Sequence, residues 1–347
     1  MISVKRISRI KPARLVRWAV MAAGSAFFLF FSRFISEHAI CPIGGFEMFF
    51  TGIFNTGFSL AGLFSGMVLI FLIMSVFSIL FRRAYCGYIC PLGAVQELFE
   101  KTGKRILPRK FRTLRIPDRA DRILRWLKYP VLGLFVLGAA VWGGHWMISA
   151  DPFIVLMGLF KGSGIAGIVQ RNLSSLLFFA GILVFAFFLG RGFCRYLCPA
   201  GAWYALLSKL SPSKIIRNTE KCAGCGLCTK ACPMHLDVAD LEKVKSAECI
   251  GCQECVAACP TPGALEMKAG GMGIPSALVP VAAAAVFSGS VWLAAVSMPV
   301  RGERPQGAPE GQEQEAGQGS GIPGSSDRVG LGGCSDCNGC GFCGLLT

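Results

Sequence analysis

Two cysteine runs leave the segment that carries them little conformational freedom. Cys222-Ala-Gly-Cys225-Gly-Leu-Cys228-Thr-Lys-Ala-Cys232-Pro233 is followed by Cys249-Ile-Gly-Cys252-Gln-Glu-Cys255-Val-Ala-Ala-Cys259-Pro260, and both read C-x2-C-x2-C-x3-C-P. Spacings this short wrap three thiolates around one face of an iron-sulfur cubane, while the fourth, turned away by its proline, reaches a second cubane. The pattern predicts two 4Fe-4S clusters, one on Cys222, Cys225, Cys228 and Cys259, the other on Cys249, Cys252, Cys255 and Cys232. Ala223, Gly224, Gly226 and Gly251 let backbone amides approach the sulfurs, which stabilises a reduced, more negative cluster. A zinc module takes four ligands in two pairs and needs no tandem crossed arrangement with a proline after each fourth cysteine.

The rest of the chain is apolar. Hydrophobic residues make up 53% of its 347 residues, charged residues only 16%, and Phe occurs 27 times. That is the composition of a chain in lipid, not of two soluble cores. Five stretches have the length of a membrane-crossing helix: 18–36, Leu60–Phe81, Tyr129–Ala150, Asn172–Gly190 and 273–299. The net charge of +15 sits in blocks beside these stretches, with no nucleic-acid motif, so nucleic acid is excluded as a partner. Of 35 Lys and Arg, six lie in residues 1–17, thirteen in 82–128 and ten in 191–272, which predicts that those three segments are cytoplasmic. The chain is thus expected as a multi-pass protein of the bacterial inner membrane, in contact with lipid, with the ferredoxin segment cytoplasmic and the C-terminal tail outside.

An internal repeat organises the spans. Arg83-Ala-Tyr-Cys86-Gly-Tyr-Ile-Cys90-Pro-Leu-Gly-Ala94 and Arg191-Gly-Phe-Cys194-Arg-Tyr-Leu-Cys198-Pro-Ala-Gly-Ala202 recur at an offset of 108. The predicted fold is an all-α membrane protein of five transmembrane helices, built on two parallel two-helix repeats, with an inserted α+β ferredoxin domain. Its expected parts are a basic N-terminus (1–17), a first membrane repeat (18–106), a basic linker (107–128) and a second repeat (129–213). After these come the ferredoxin domain (214–268), a fifth span (273–299), a Gly- and Pro-rich linker (300–333) and a cysteine-rich tail (334–347). If each span's helix continues through its C-x3-C-P, both thiols of the pair share one face and the proline ends the helix at the membrane surface. Cys86, Cys90, Cys194 and Cys198 then supply four thiolates, enough for a further cluster or for tuning neighbouring ones.

The repeated C-x3-C-P at the ends of paired spans, followed by a tandem ferredoxin domain, resembles the polyferredoxin-like membrane proteins of the NapH and NosR type. The resemblance covers about residues 15–268 and includes Cys41-Pro42-Ile-Gly-Gly45, similar to the family's outer-loop motif. It implies electron transfer between the quinone pool and a respiratory or maturation partner complex. The chain departs from the family in its fifth span and cysteine tail, and in lacking the flavin-binding or immunoglobulin-like domains of some relatives.

On the predicted outer face, His38, His145 and Asp151, near Cys41 and Glu47, form a candidate quinone site, since quinol oxidation needs a proton acceptor. His235 is expected on the surface. The tail Cys334-Ser-Asp-Cys337-Asn-Gly-Cys340-Gly-Phe-Cys343 suits a cluster, a soft metal such as zinc or copper, or disulfides. Two functions follow as expectations: a membrane electron-transfer subunit working with quinone and redox partner proteins, or an electron supply for copper reduction and assembly with the tail as metal carrier. Enzyme status is left open between an electron-transfer subunit and a quinol dehydrogenase.

Overall fold

The computed structural model describes residues 12–31, 42–55, 66–106, 116–142, 151–161 and 164–297, which are largely helical with one small sheet. In chain order the helices before the sheet are α1 (Pro12–Phe31), α2 (Pro42–Asn55), α3 (Gly66–Phe81), α4 (Ala84–Tyr88), α5 (Pro91–Ile106) and α6 (Asp118–Leu124). They continue with α7 (Lys128–Val141), α8 (Pro152–Lys161), α9 (Gly164–Leu189), α10 (Gly192–Tyr196) and α11 (Pro199–Ser208). Helix α3 has no charged residue and packs between α2, α11 and a late helix, α14 (Leu278–Ser297). Aromatic side chains fill the centre. Phe46 of α2 is fully buried and meets Phe71, Phe135 and Trp203 in T-shaped contacts at 5.6, 5.7 and 5.9 Å between centroids. Each such pair contributes about 0.5–1.5 kcal/mol beyond the area it buries.

Residues 42–55, read from the sequence as part of an outer connection, form a helix instead. Their apolar side chains have a bundle interior to enter, with Ile43, Phe46 and Glu47 all buried. Among the described residues, one helical stretch, Arg119–Val141, is long and apolar enough to cross a membrane, and Ile43–Phe54, Val68–Phe81, Leu173–Leu189 and Leu278–Ala294 are shorter apolar helices. Parts of the expected spans, 32–36, 60–65, 143–150 and 298–299, lie outside the described residues.

The repeated motif is shaped differently from the continuous helix expected. Helix α3 stops at Phe81 because Arg82 takes a left-handed φ of 62°, and α9 stops at the equivalent Gly190, with φ 68°. A kink follows in each case, with φ and ψ of −75° and 40° at Arg83 and −72° and 44° at Arg191. Cys86 and Cys194 then sit on the five-residue helices α4 and α10, separate from α3 and α9. Pro91 and Pro199 open α5 and α11; they do not close the helices before them. The physical reason is that a proline's fixed φ and missing N–H cost nothing at the first position of a helix.

Residues 213–274 form the α+β part. Strands β1 (Ser213–Arg217), β2 (Lys243–Val244), β3 (Leu265–Ala269) and β4 (Met272–Ile274) make an antiparallel sheet in the order β2-β1-β3-β4. Ile215 pairs with Val244 on one side and Met267 on the other, all three buried, and of the two short helices α13 (Glu254–Ala258) packs on β3 and against α12 (Leu227–Ala231). Because β4 pairs with β3, the domain runs past residue 268 to Ile274, and helix α14 begins at Leu278, not at the expected 273.

Candidate functional site

Each cysteine run follows the same local course. Gly224 and Gly251 have φ of 65° and 63°, and Gly226 and Gln253, just before α12 and α13, have φ of 66° and 55°. Glycine is the natural occupant of such left-handed positions, which turn the chain so tightly that consecutive cysteines face one cavity. One cavity is lined by Cys222, Cys225, Cys228 and Cys259, with Pro260 and Leu265. A second is lined by Cys232, Cys249, Cys252 and Cys255, with Ile215 and Val244 beneath. Each therefore takes three thiols from one run and the fourth from the other. Among the described residues no group of three or more His, Cys, Asp or Glu side chains closes tightly enough to hold a single metal ion. Four thiols around an apolar-floored cavity fit the polynuclear cluster that the spacing implies, with its one-electron chemistry.

The two sites differ in environment. Cys225 is exposed, and the Gly224 amide and the Arg217 guanidinium, 3.6 Å away, hold the Cys222 thiol below its ordinary pKa. In the second set, burial pushes Cys232 up to about 11 and Cys252 up to about 12. Such thiols lose their protons at neutral pH only to a bound cation, so occupancy of this site is coupled to proton release.

Beneath the second set, the structure brings Cys86, Cys90, Cys194 and Cys198 within electrostatic reach of one another. Cys90 and Cys194 are buried. The buried amide of Gln96 donates to the Cys194 sulfur at 3.2 Å, and the Gly201 N–H to the Cys198 sulfur at 3.3 Å. The contact with the ferredoxin domain is direct. A Cβ on Gly87 would stand 2.8 Å from the Ile250 carbonyl oxygen and 3.4 Å from the Cys252 Cβ, so the absence of a side chain next to Cys86 lets the second set approach.

Charged side chains bind this interface together. Arg17 of α1 grips Glu97 of α5 with bonds of 2.6 and 3.0 Å and reaches Glu254 of the second run at 2.7 Å, and Arg14 adds a bond to Glu254 at 2.9 Å. Arg191 donates to Glu97 at 2.8 Å, Arg83 to Glu248 at 3.1 Å, and Lys128 also pairs with Glu248. Burial alone would raise both carboxylates; instead Arg191 and Arg17 hold Glu97 down to about 2, and Arg83 and Lys128 hold Glu248 below its usual range. Arg82 is buried and donates to the Ser213, Val244 and Ser246 carbonyls. Among the described residues, the buried cations Arg17, Arg82, Arg83, Lys128, Arg191 and Arg195 thus share this region with the buried carboxylates Glu97, Glu100, Asp121, Glu248 and Glu254. An uncompensated buried charge is strongly unfavourable. Two of these cations also face the thiols: Arg83 interacts with Cys86, Cys194 and Cys198, and Arg191 with Cys194.

Other expected site residues fall elsewhere. His38, Cys41, His145 and the tail cysteines Cys334, Cys337, Cys340 and Cys343 lie outside the described residues. Asp151 is buried at the start of α8, where its carboxylate accepts the Phe153 N–H at 2.8 Å, as a helix-capping residue does. His235, expected on the surface, is partly exposed, with 20% of its side chain accessible and its Nε2 3.8 Å from the Glu100 carboxylate. The residues missed from sequence are Arg17, Arg82, Arg83, Gln96, Glu97, Arg191, Glu248 and Glu254. Only Arg83 and Arg191 carry a signal, their shared place in the repeat.

Comparison with known proteins agrees with this chemistry. Residues 64–112 and 171–218 each match a 4Fe-4S binding domain family, and residues 214–260 match a 4Fe-4S dicluster domain. YccM of Escherichia coli, named as a putative electron transport protein, is 31% identical over 57% of this chain and 56% of its own length. MauN of Paracoccus denitrificans, a methylamine utilization ferredoxin-type protein, is 31% identical over 44% of this chain and 48% of its own. NosR of Pseudomonas aeruginosa, a regulatory protein, is 26% identical over 44% of this chain and 20% of its own. The chain spans about half the length of the first two and less of NosR. No solved structure matches it. With 4Fe-4S domain matches at both its repeat and its tandem cysteine runs, the chain is similar to ferredoxin-type iron-sulfur electron transport proteins, among them MauN and NosR.

Proposed function

We propose that the protein is a membrane-embedded electron-transfer subunit that passes electrons between the quinone pool and a redox partner complex. The observation that carries this reading is the seat of Cys252 against Gly87, which sets the second cysteine set directly on the C-x3-C-P quartet. Cys222, Cys225, Cys228 and Cys259 hold the outer cluster, open to a soluble partner domain at Cys225. Cys232, Cys249, Cys252 and Cys255 hold the inner one. Cys86, Cys90, Cys194 and Cys198 hold a third anionic group. Arg83 and Arg191, buried beside these thiols, support that last assignment, because a cluster on four thiolates is anionic. The apolar helices are read as five spans in two parallel repeats, with the ferredoxin domain cytoplasmic. His38, His145 and Asp151 are kept as the quinone site on the opposite face, and the tail as a further metal or cluster site.

Iron analysis and electron paramagnetic resonance test this on the full chain, on a Cys86→Ser/Cys194→Ser variant and on a variant lacking residues 334–347. The double variant is expected to lose one cluster equivalent of iron and to keep two cluster signals, and a quinol is expected to bleach the cluster absorption of the full chain. Equal iron in all three proteins would remove the quartet and the tail as cluster sites. No bleaching by any quinol would remove quinone as the partner.

A further inference from the structure

At an offset of 27 the cysteines of the two runs coincide, and Gln253 stands where the first run has Gly226. Both residues immediately precede a short helix and both are left-handed, with φ of 66° at Gly226 and 55° at Gln253. Glycine takes that conformation freely, whereas a residue with a long side chain rarely does, and such strain gathers where a function requires it. The first position has room for a side chain, since a Cβ on Gly226 would meet nothing within 4 Å, yet it carries none. The second keeps its side chain despite the unfavourable backbone. Gln253 is 5% exposed and lines the same cavity as Cys232, Cys249, Cys252 and Cys255. Its amide nitrogen Nε2 is shielded from solvent and finds no acceptor among the described residues. A buried amide N–H without a partner is unfavourable, and native side chains of this kind are nearly always satisfied.

We propose that the acceptor is a sulfur of the group held by Cys232, Cys249, Cys252 and Cys255, and that Gln253 thereby sets the reduction equilibrium of this group apart from that of the first set. This rests on the reading of those four cysteines as cluster ligands. Reduction transfers one electron from a low-potential donor to the group, with no bond made or broken and no proton taken up, so the group becomes more negative by one charge. An N–H donated to sulfur stabilises that state more than the oxidised one. Ile215, Leu236 and Val244 line the same cavity, so little water competes for the bond. The first set has no side chain at the matching position, and Arg217, which reaches the Cys222 sulfur at 3.6 Å, is only partly buried. Gln253 therefore biases an added electron toward the set that lies against Gly87 and the helix of Cys86.

The test is a redox titration of the full chain with dithionite as reductant, followed by electron paramagnetic resonance, with the inner signal identified as the one lost in Cys232→Ser. Gln253→Met keeps the length of the side chain and removes the donor. It is expected to disfavour reduction of the inner signal about tenfold, a downward shift of about 59 mV for a one-electron couple, and to leave the outer signal in place. Gln253→Asn retains an amide and suits a left-handed backbone, and is expected to shift the signal far less. Should Gln253→Met not fold, the wild-type chain labelled with heavy nitrogen in its glutamine side-chain amides decides, since pulsed resonance is expected to show that nitrogen coupled to the inner signal. An unchanged inner midpoint in Gln253→Met with full iron, equal shifts in the Met and Asn variants, or no nitrogen coupling would overturn the role of Gln253. If Cys232→Ser removes no signal, it is the cluster assignment itself that fails.

Discussion

Arg83 donates to the carbonyl oxygen of Cys194 at 3.3 Å, and Arg191 makes the reciprocal bond to the Cys86 carbonyl. Each repeat is thus completed by the other's arginine. The crossing occurs where no side chain obstructs it, since a Cβ on Gly201 would stand 2.7 Å from an Arg83 Nη and one on Gly93 3.0 Å from an Arg191 Nη. Both arginines are almost wholly buried, and each also holds a carboxylate, Glu248 or Glu97. One guanidinium therefore joins the quartet to the ferredoxin domain and the other joins it to α5.

Arg83→Ala is expected to leave Glu248 with Lys128 as its remaining ion-pair partner and to cost about 3–5 kcal/mol, the usual penalty of breaking a buried pair. Arg83→Lys is expected to recover little, because a single ammonium cannot reach the Cys194 carbonyl and Glu248 in the fork geometry of a guanidinium. Thermal unfolding and iron per chain check both. A lysine variant with wild-type iron and melting temperature would refute the forked role.

Gly87→Ala places a methyl group 2.8 Å from the Ile250 carbonyl oxygen, which is backbone and cannot swing aside. The ferredoxin loop is expected to shift by a few tenths of an ångström, at a cost of about 1–3 kcal/mol. Because the displaced loop carries Cys252, magnetic coupling between the inner cluster and its neighbours is expected to weaken. Unaltered line shapes and stability would mean that the two parts do not meet at Gly87.

The cysteine runs are legible in the sequence because their chemistry is local: spacing alone dictates which thiols share a face, and left-handed residues at Gly224, Gly226 and Gly251 do the turning. The interface is not, because its bonds join residues far apart in the chain, as Arg17 joins Glu254 across 237 positions. Helix α2 escapes a sequence reading for a related reason. Charge counting describes connections only by their ends, and nothing local tells an apolar loop from a helix that will find Phe71 and Trp203. The motif proline is ambiguous in itself, since Pro91 can end one helix or begin the next. What decides is the left-handed backbone of Arg82, which stops the first helix before Cys86 is reached.

Crossed ligation makes a further expectation specific. Cys232 belongs to the first run by sequence but lines the cavity of the second, and Cys259 does the reverse. Cys232→Ser is therefore expected to remove the same resonance signal as Cys252→Ser, and Cys259→Ser the same signal as Cys225→Ser. Pairing by run, with Cys232→Ser matching Cys225→Ser, would show that each run closes its own site.

Glu97 supplies the pH dependence. Burial would raise its pKa, but Arg191 and Arg17 overcome that and hold it down to about 2. An unfolded glutamate titrates near about 4.3. A carboxylate depressed in the folded state contributes stability that is fully present above the unfolded value and is lost as pH falls through the folded one. For a group only 5% exposed, a depression of this size is on the order of 3 kcal/mol. The stability difference between wild type and Glu97→Gln is thus expected to be full at about pH 6, to shrink below about pH 4 and to be nearly gone at about pH 2. Acid effects on the clusters and on other groups are common to both proteins and cancel in that difference. Melting temperatures of the two proteins across this range give the measurement, and a difference that stays flat down to about pH 3 would show that the two arginines do not hold Glu97 ionised.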